Sequence, residues 1–77
     1  MIAAYILIQA EAGKADIVAA APRDVQGVWE TASLAGPCGV IARTGARDID
    51  EMARLVTSRV HALDGVTRTM SCLVVHL

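Results

Sequence analysis

The sequence contains few aromatic residues: it has no phenylalanine, one tyrosine (Tyr5) and one tryptophan (Trp29) among 77 residues. Because 55% of the residues are nevertheless hydrophobic, the core has to be built mainly from alanine, valine, isoleucine and leucine. We expect residues 1–77 to form one small domain, which has a high surface-to-volume ratio. Such a domain cannot bury all of this apolar surface, so part of it is expected to face a partner chain.

The sequence also lacks a basic patch and closely spaced cysteines. Its formal net charge is −1, and seven basic residues are scattered among eight acidic ones. Direct contact with nucleic acid is therefore not expected. Cys38 and Cys72 lie far apart and form no C-x-x-C motif, so the sequence predicts neither a metal site nor any cofactor.

No targeting or membrane segment is recognisable in the sequence. The apolar run from Ile2 to Ile8 has no basic region before it and no small-residue cleavage site after it. It is also too short to cross a bilayer. We therefore expect a cytoplasmic protein that does not bind membranes.

The clearest element is a helix that begins after Asp48. Asp48 can cap this helix, and Glu51 follows at the position that a capping box favours. Gly65 is suited to end it. Apolar residues recur at the spacing of one helical face, at Ile49, Met52, Ala53, Val56, Val60 and Leu63.

The remaining segments predict four strands and a shorter helix. The run Ile2–Ile8 is apolar throughout, which is typical of a central strand. A helix from Lys14 to about Ala21 is expected to be shortened or distorted by Pro22. The other strands are expected over 28–34, with Trp29 and Glu30 on opposite faces, over 40–44, and from about 68 to 76.

The order β-α-β-β-α-β predicts an α+β fold, the ferredoxin-like plait. Right-handed crossovers place both helices on one face of a four-stranded antiparallel sheet. The opposite face is then bare, although the first and last strands are apolar on both sides. A bare apolar face implies a second chain, so we expect a homodimer that packs sheet against sheet.

Hydroxyl and backbone groups are the most suggestive polar features. Thr67, Thr69 and Ser71 alternate along the last strand and are expected on one face. The turn Gly36–Gly39 leaves backbone N–H and C=O groups uncovered by large side chains. Together these groups suit the carboxylate and ammonium of a free amino acid. An ordinary polar strand edge accounts for the hydroxyls equally well.

Catalytic side chains are sparse, so we do not expect an enzyme. Only Tyr5, His61 and His76 are candidates for acid–base chemistry, and neither histidine has a neighbouring carboxylate in the sequence to orient it. The alternative is nevertheless a small dimeric ferredoxin-like enzyme of the cofactor-free monooxygenase or isomerase type. A third interpretation is an assembly adaptor without a ligand.

Two stretches carry a resemblance to a known family. Residues 46–51, which lead into the capped helix, and residues 64–71, which enter the last strand, are the most specific. The chain resembles the ligand-binding domain of the Lrp/AsnC regulators, or RAM domain, in its stand-alone form. The family's hairpin motif, G-x-x-D, falls on Gly36–Gly39, and its two hydroxyl positions fall on Thr69 and Ser71.

The resemblance implies an amino-acid-sensing oligomerisation module whose effector binds between dimers. The implied ligand-binding residues are Gly36, Pro37, Cys38, Gly39, Thr69, Ser71 and Cys72. Gly39 stands where the motif has Asp, so we expect Gly39→Asp to strengthen binding through a new charge partner. Homodimers are expected to assemble further, up to octamers.

The resemblance also implies an indirect route to transcription. The full-length regulators place a helix-turn-helix domain before this one, and this sequence has no recognition helix. We therefore expect modulation through effector binding or through mixed assembly with full-length Lrp/AsnC regulators.

Overall fold

A computed structural model describes residues 1–33 and 39–74, which form an antiparallel sheet with helices on one face. The strands are β1 (Ile2–Ala10), β2 (Val28–Ser33), β3 (Val40–Ala46) and β4 (Val66–Leu73). Helix α1 (Ala15–Ala20) follows β1, and helix α2 (Ile49–Arg54) follows β3. A 3-10 turn (Ala21–Asp24) extends α1, and a π-helical segment (Leu55–Val60) extends α2.

The strand order β2-β3-β1-β4 confirms the predicted ferredoxin-like α+β fold. Strand β1 is central, as its apolar sequence predicts. It pairs with β3 from Ile2 opposite Ala46 to Ile8 opposite Val40. It pairs with β4 on its other side, and a register shift follows Gln9. Strands β2 and β4 therefore form the two edges of the sheet.

The core lies between the sheet and the helices, and aliphatic side chains fill it. Alternate residues of the central strands are buried on the helix side, as strand geometry requires. Thr44 is a buried polar residue in this core, and its Oγ1 donates a 3.1 Å hydrogen bond to the carbonyl of Ala4. The buried apolar residues are Ala4, Ile6, Ile8, Val18, Ala19, Val40, Ala42, Ala46, Met52, Leu55 and Val60.

Pro22 shortens the first helix, as predicted. Helix α1 ends at Ala20, and Pro22 lies near the start of the following 3-10 turn. A proline is tolerated at the start of a helical turn because its missing N–H would have no partner there. Thr31 of β2 holds both parts: its Oγ1 donates a 2.8 Å hydrogen bond to the carbonyl of Ala19 in α1 and accepts one of 3.2 Å from Arg23 Nε in the turn.

Asp48 caps α2, as predicted, but Glu51 acts differently from a standard capping box. Asp48 Oδ1 accepts a 2.8 Å hydrogen bond from the N–H of Glu51. The Glu51 carboxylate bonds to the residue before the cap, Arg47. It accepts from the backbone N–H of Arg47 at 3.1 Å and from its Nε at 2.7 Å. The N-terminus of the helix is thus fixed by two carboxylates.

The second helix is not a continuous α-helix, and the predicted apolar face is wrong at Ile49 and Ala53, which are both exposed. Ile49 is 56% exposed, whereas Leu55 is buried. From Leu55 to Val60 the helix is π-helical, and the N–H of His61 donates to the carbonyl of Val56, five residues earlier. This wider turn buries both Leu55 and Val60, which are five residues apart. In an α-helix, Arg59 would instead share the face of Leu55.

A bulge in β2 also changes the predicted alternation of that strand. The register with β3 shifts between Val28 and Glu30. Trp29 and Glu30 consequently both contact Arg43, instead of pointing to opposite faces. An extra residue in one strand has this effect because two residues then oppose one.

Candidate functional site

The sheet face opposite the helices carries an apolar band. Leu7 of β1 lies between Ile41 of β3 and Met70 of β4 in the strand register. Tyr5 is 44% exposed and Met70 is 59% exposed, and no described helix packs over them. We call this band, formed by Tyr5, Leu7, Ile41, Met70 and Cys72, the open face.

Arg43 fixes a polar corner beside the open face. Its Nη1 lies 3.2 Å from Glu30 Oε1, and its guanidinium carbon lies 5.3 Å from the centre of the Trp29 ring. Arg43 is exposed, but it is held between a carboxylate and an aromatic face. The corner therefore orients Trp29 instead of offering a free cation.

The predicted hydroxyl positions lie on the helix side of β4. Thr69 is opposite Ile8 and Ser71 is opposite Ile6, both of which point into the core. Thr67 Oγ1 donates a 3.2 Å hydrogen bond to the carbonyl of Gln9, so it serves the sheet. Thr69 and Ser71 make no side-chain hydrogen bond within residues 1–33 and 39–74. These two hydroxyls are accordingly available along the edge of the sheet.

Cys72 does not share the face of Thr69 and Ser71. It is opposite Tyr5 in the strand register and belongs to the open face, where its thiol is free and exposed. A ligand that contacted both Ser71 and Cys72 would have to reach around the edge of β4.

Gly39 has a conformation that other residues rarely adopt, with φ of +75°. A Cβ atom at this position would stand 2.7 Å from the carbonyl oxygen of Ile8. This geometry corrects the expectation that Gly39→Asp simply adds a charge partner, because the aspartate would clash with the backbone of β1. The other hairpin residues predicted to bind ligand, Gly36, Pro37 and Cys38, lie outside the described residues.

Gly39 and the β4 hydroxyls do not meet in one chain. Ile8 pairs with Val40 on one side and with Thr69 on the other, so β1 separates the two groups. Two strand spacings correspond to roughly 10 Å. A small ligand that used both groups would require a second chain.

Among the described residues, Tyr5 and His61 do not form an acid–base pair with each other. His61 is exposed in the turn after the π-helical segment, and His76 lies outside the described residues. Within the described ranges, no set of three or more His, Cys, Asp and Glu side chains is placed to hold a metal ion. None of the helices there has the length and hydrophobicity that crossing a bilayer requires.

The pKa shifts arise in surface ion pairs. Hydrogen bonds from Arg47 lower the pKa of Glu51 below its usual value. A hydrogen bond to Glu11 and the nearby charge of Asp64 raise the pKa of Lys14. Lys14 Nζ lies 3.3 Å from Glu11 and 3.6 Å from Asp64. These pairs fix turns and a helix start, and structural pairs of this kind shift pKa values without catalysis.

A concave surface, which we call the arginine groove, lies where β3 leads into α2. Its volume is about 710 Å³. The sequence did not reveal it, because the arginines are scattered along the chain and only the fold brings them together. No spacing in the sequence marks it, because Arg47 precedes α2, Arg54 ends it and Arg59 lies in the π-helical segment. The lining comprises Met1, Gln26, Gly27, Trp29, Gly45, Ala46, Arg47, Glu51, Arg54, Leu55, Ser58 and Arg59.

Comparison with solved structures finds close matches to the whole chain. A protein from Thermus thermophilus is 28% identical and superposes with a TM-score of 0.91, over 100% of this chain and 96% of that one. E. coli AsnC is 17% identical, with a TM-score of 0.89 over 99% of this chain and 52% of AsnC. Among proteins with curated functions, none matches this sequence.

A third structure is a transcriptional regulator from Neisseria meningitidis in complex with L-Met. It is 21% identical, with a TM-score of 0.84 over 97% of this chain and 50% of the regulator. The chain thus spans about half of AsnC and of this regulator. The family model of the Lrp/AsnC ligand binding domain matches residues 3–76, so the chain belongs to the Lrp/AsnC ligand-binding-domain family.

Proposed function

We propose that this chain senses a free amino acid and changes its assembly in response. The observation that carries the proposal is the match of a ligand-binding-domain family to residues 3–76. The related regulator from Neisseria meningitidis was solved with L-Met. The unengaged hydroxyls of Thr69 and Ser71 support the proposal, because hydroxyl groups can hold a carboxylate.

The proposed assembly starts from a homodimer that packs through the open face. Tyr5, Leu7, Ile41 and Met70 form an apolar surface that a second copy would remove from water. Higher assembly, up to an octamer, would place β4 of one dimer near the hairpin of another. This arrangement would supply the second chain that a shared ligand site requires.

The proposed effect on transcription is indirect. Domains of this fold occupy about half of AsnC and of the regulator from Neisseria meningitidis. A chain of the same family can exchange with such domains if the open faces are compatible. Mixed assembly with a full-length regulator, tuned by an amino acid, is therefore the proposed mode of action.

Light scattering at low micromolar concentration tests the dimer. We expect the wild-type mass to be at least twice that of one chain, and Met70→Glu to reduce it because the variant places a charge in the apolar interface. Ile17→Glu is the matched control, since Ile17 is an exposed apolar residue on α1. A folded wild-type monomer would contradict the proposed interface.

A thermal-shift screen of the twenty amino acids, followed by calorimetry, tests the sensing role. We expect at least one amino acid to raise the melting temperature, because binding to the folded state stabilises it. Ser71→Ala and Thr69→Val should weaken this binding, whereas Thr57→Ala should not. The Thr57 hydroxyl bonds to the carbonyl of Ala53 within its own helix. A dimer whose melting no amino acid changes would favour the adaptor interpretation.

A further inference from the structure

The arginine groove has more positive charge than the described carboxylates neutralise. Arg47 is paired with Glu51 at 2.7 Å. Arg54 and Arg59 also line the groove, and neither has a carboxylate within 4.0 Å in the described part of the chain. The Nε of Arg54 only makes a long 3.4 Å bond to the backbone carbonyl of Asp50. Two guanidinium groups are therefore available to a ligand.

The groove lining also contains an aromatic residue, Trp29, whose ring is packed against its neighbours. The Trp29 ring lies against Gly45, so close that a side chain at position 45 would collide with it. The guanidinium carbon of Arg43 lies over the Trp29 ring, 5.3 Å from the ring centre. A groove lined by an aromatic ring as well as by two arginines favours a ligand that combines negative charge with some apolar surface.

The π-helical segment is an independent feature of the same groove. Leu55, Ser58 and Arg59 all belong to this segment and line the groove. Because Val60 takes the buried position, five residues after Leu55, Arg59 is directed outward. Short π-helical stretches interrupt α-helices rarely and often at functional sites.

We propose that the arginine groove binds a small organic oxyanion with two or more negative charges. The planar fork of a guanidinium matches the oxygens of a carboxylate or phosphate, and two such forks match a multivalent ligand. Gln26 and Ser58 add neutral donors to the lining. This site is separate from the proposed amino-acid site, because it lies at the Ala46 end of β3 and Gly39 precedes the other end.

Trp29 provides the measurement, because it is the single tryptophan of the chain. The wild-type protein is titrated with pyrophosphate and, separately, with citrate, against sodium chloride at matched ionic strength. We expect a saturable change in Trp29 fluorescence with one or both anions, and none with chloride. A response to pyrophosphate alone identifies a phosphate site, and a response to citrate alone identifies a carboxylate site. Light scattering at each end point checks that assembly is constant.

Charge-matched variants locate the site. Arg59→Gln and Arg54→Gln should each weaken binding by about tenfold, the scale of a lost charge-assisted hydrogen bond. Arg68→Gln removes one positive charge from β4, outside the groove, and should leave binding unchanged. Equal losses in Arg59→Gln and Arg68→Gln would mean non-specific attraction and overturn the proposal. Absence of a saturable response to either anion in the folded wild type would also overturn it.

Discussion

The indole ring of Trp29 lies against the backbone of Gly45, in the space that a Cβ atom at position 45 would occupy. We expect Gly45→Ala to displace the ring and to lower the free energy of unfolding by about 1–3 kcal/mol, the usual cost of overpacking. Chemical denaturation measures the loss, and the emission maximum of Trp29 reports the displacement.

A double-mutant cycle separates this contact from other effects of the alanine. In a Trp29→Ala background, Gly45→Ala should cost much less, because the colliding atoms are gone. A cost that is the same in both backgrounds would show that the ring is not what confines position 45.

The cap of α2 predicts a difference between two neighbouring aspartates. Asp48→Ala removes the side chain that accepts from the N–H of Glu51, and it should lower the free energy of unfolding by about 1 kcal/mol. Asp50→Ala is the control, because Asp50 lies in the first turn and its side chain makes no hydrogen bond to the residues that the structure describes. Thermal and urea unfolding of both variants measure the difference, and equal losses would contradict a specific cap.

The Arg47–Glu51 pair predicts a dependence of stability on pH. Because Arg47 lowers the pKa of Glu51 in the folded state, the pair contributes stability above the ordinary glutamate pKa. This contribution disappears as the pH falls through the lowered pKa. Wild type should therefore be more stable than Arg47→Gln at neutral pH, and the difference should shrink as the pH falls through the lowered pKa of Glu51.

Salt supplies the control for this pair. Both side chains are partly or largely exposed, so added sodium chloride should reduce the difference near neutral pH. A difference between wild type and Arg47→Gln that persisted at acid pH would mean that Arg47 stabilises the fold through packing instead.

Substitution of Gly39 should cost more stability than substitution of Gly13. Gly39→Ala and Gly39→Asp should both destabilise the protein, because the added Cβ atom meets the carbonyl of Ile8 and φ is positive. Gly13→Ala is the control, since φ is also positive there but nothing lies within 4 Å of the added atom. Comparable melting temperatures for the Gly13 and Gly39 variants would show that the contact with β1 has no effect.

The sequence predicted the elements whose signals are local. The cap at Asp48 and the helix end forced by Pro22 depend on chemistry within a few residues, and both are confirmed. The π-helical segment and the bulge at Trp29 depend on how side chains pack across the molecule. The apolar periodicity predicted the burial of Val60 but not that of Leu55, because only a π-helical turn places residues five apart on one face and tertiary packing decides where it forms.

The candidate sites also divide into features with a local sequence signal and features that only the fold creates. The sequence was sufficient to predict that Thr69 and Ser71 share one face of β4, because successive side chains of a strand point to opposite faces of the sheet. The separation of Cys72 from them follows from the same rule. The arginine groove could not be predicted, because it requires the end of β3 to pass beside α2.

The π-helical segment holds one more residue per turn than the α-helix before it, so it is a place where the chain can change length. A single-residue deletion between Leu55 and Val60 would let the segment become α-helical, with the cap at Asp48 and the entry into β4 kept. Relatives that differ by one residue here would thus retain the fold. They would differ in which side chain of the second helix faces the arginine groove, so a change in length would act as a change in binding surface.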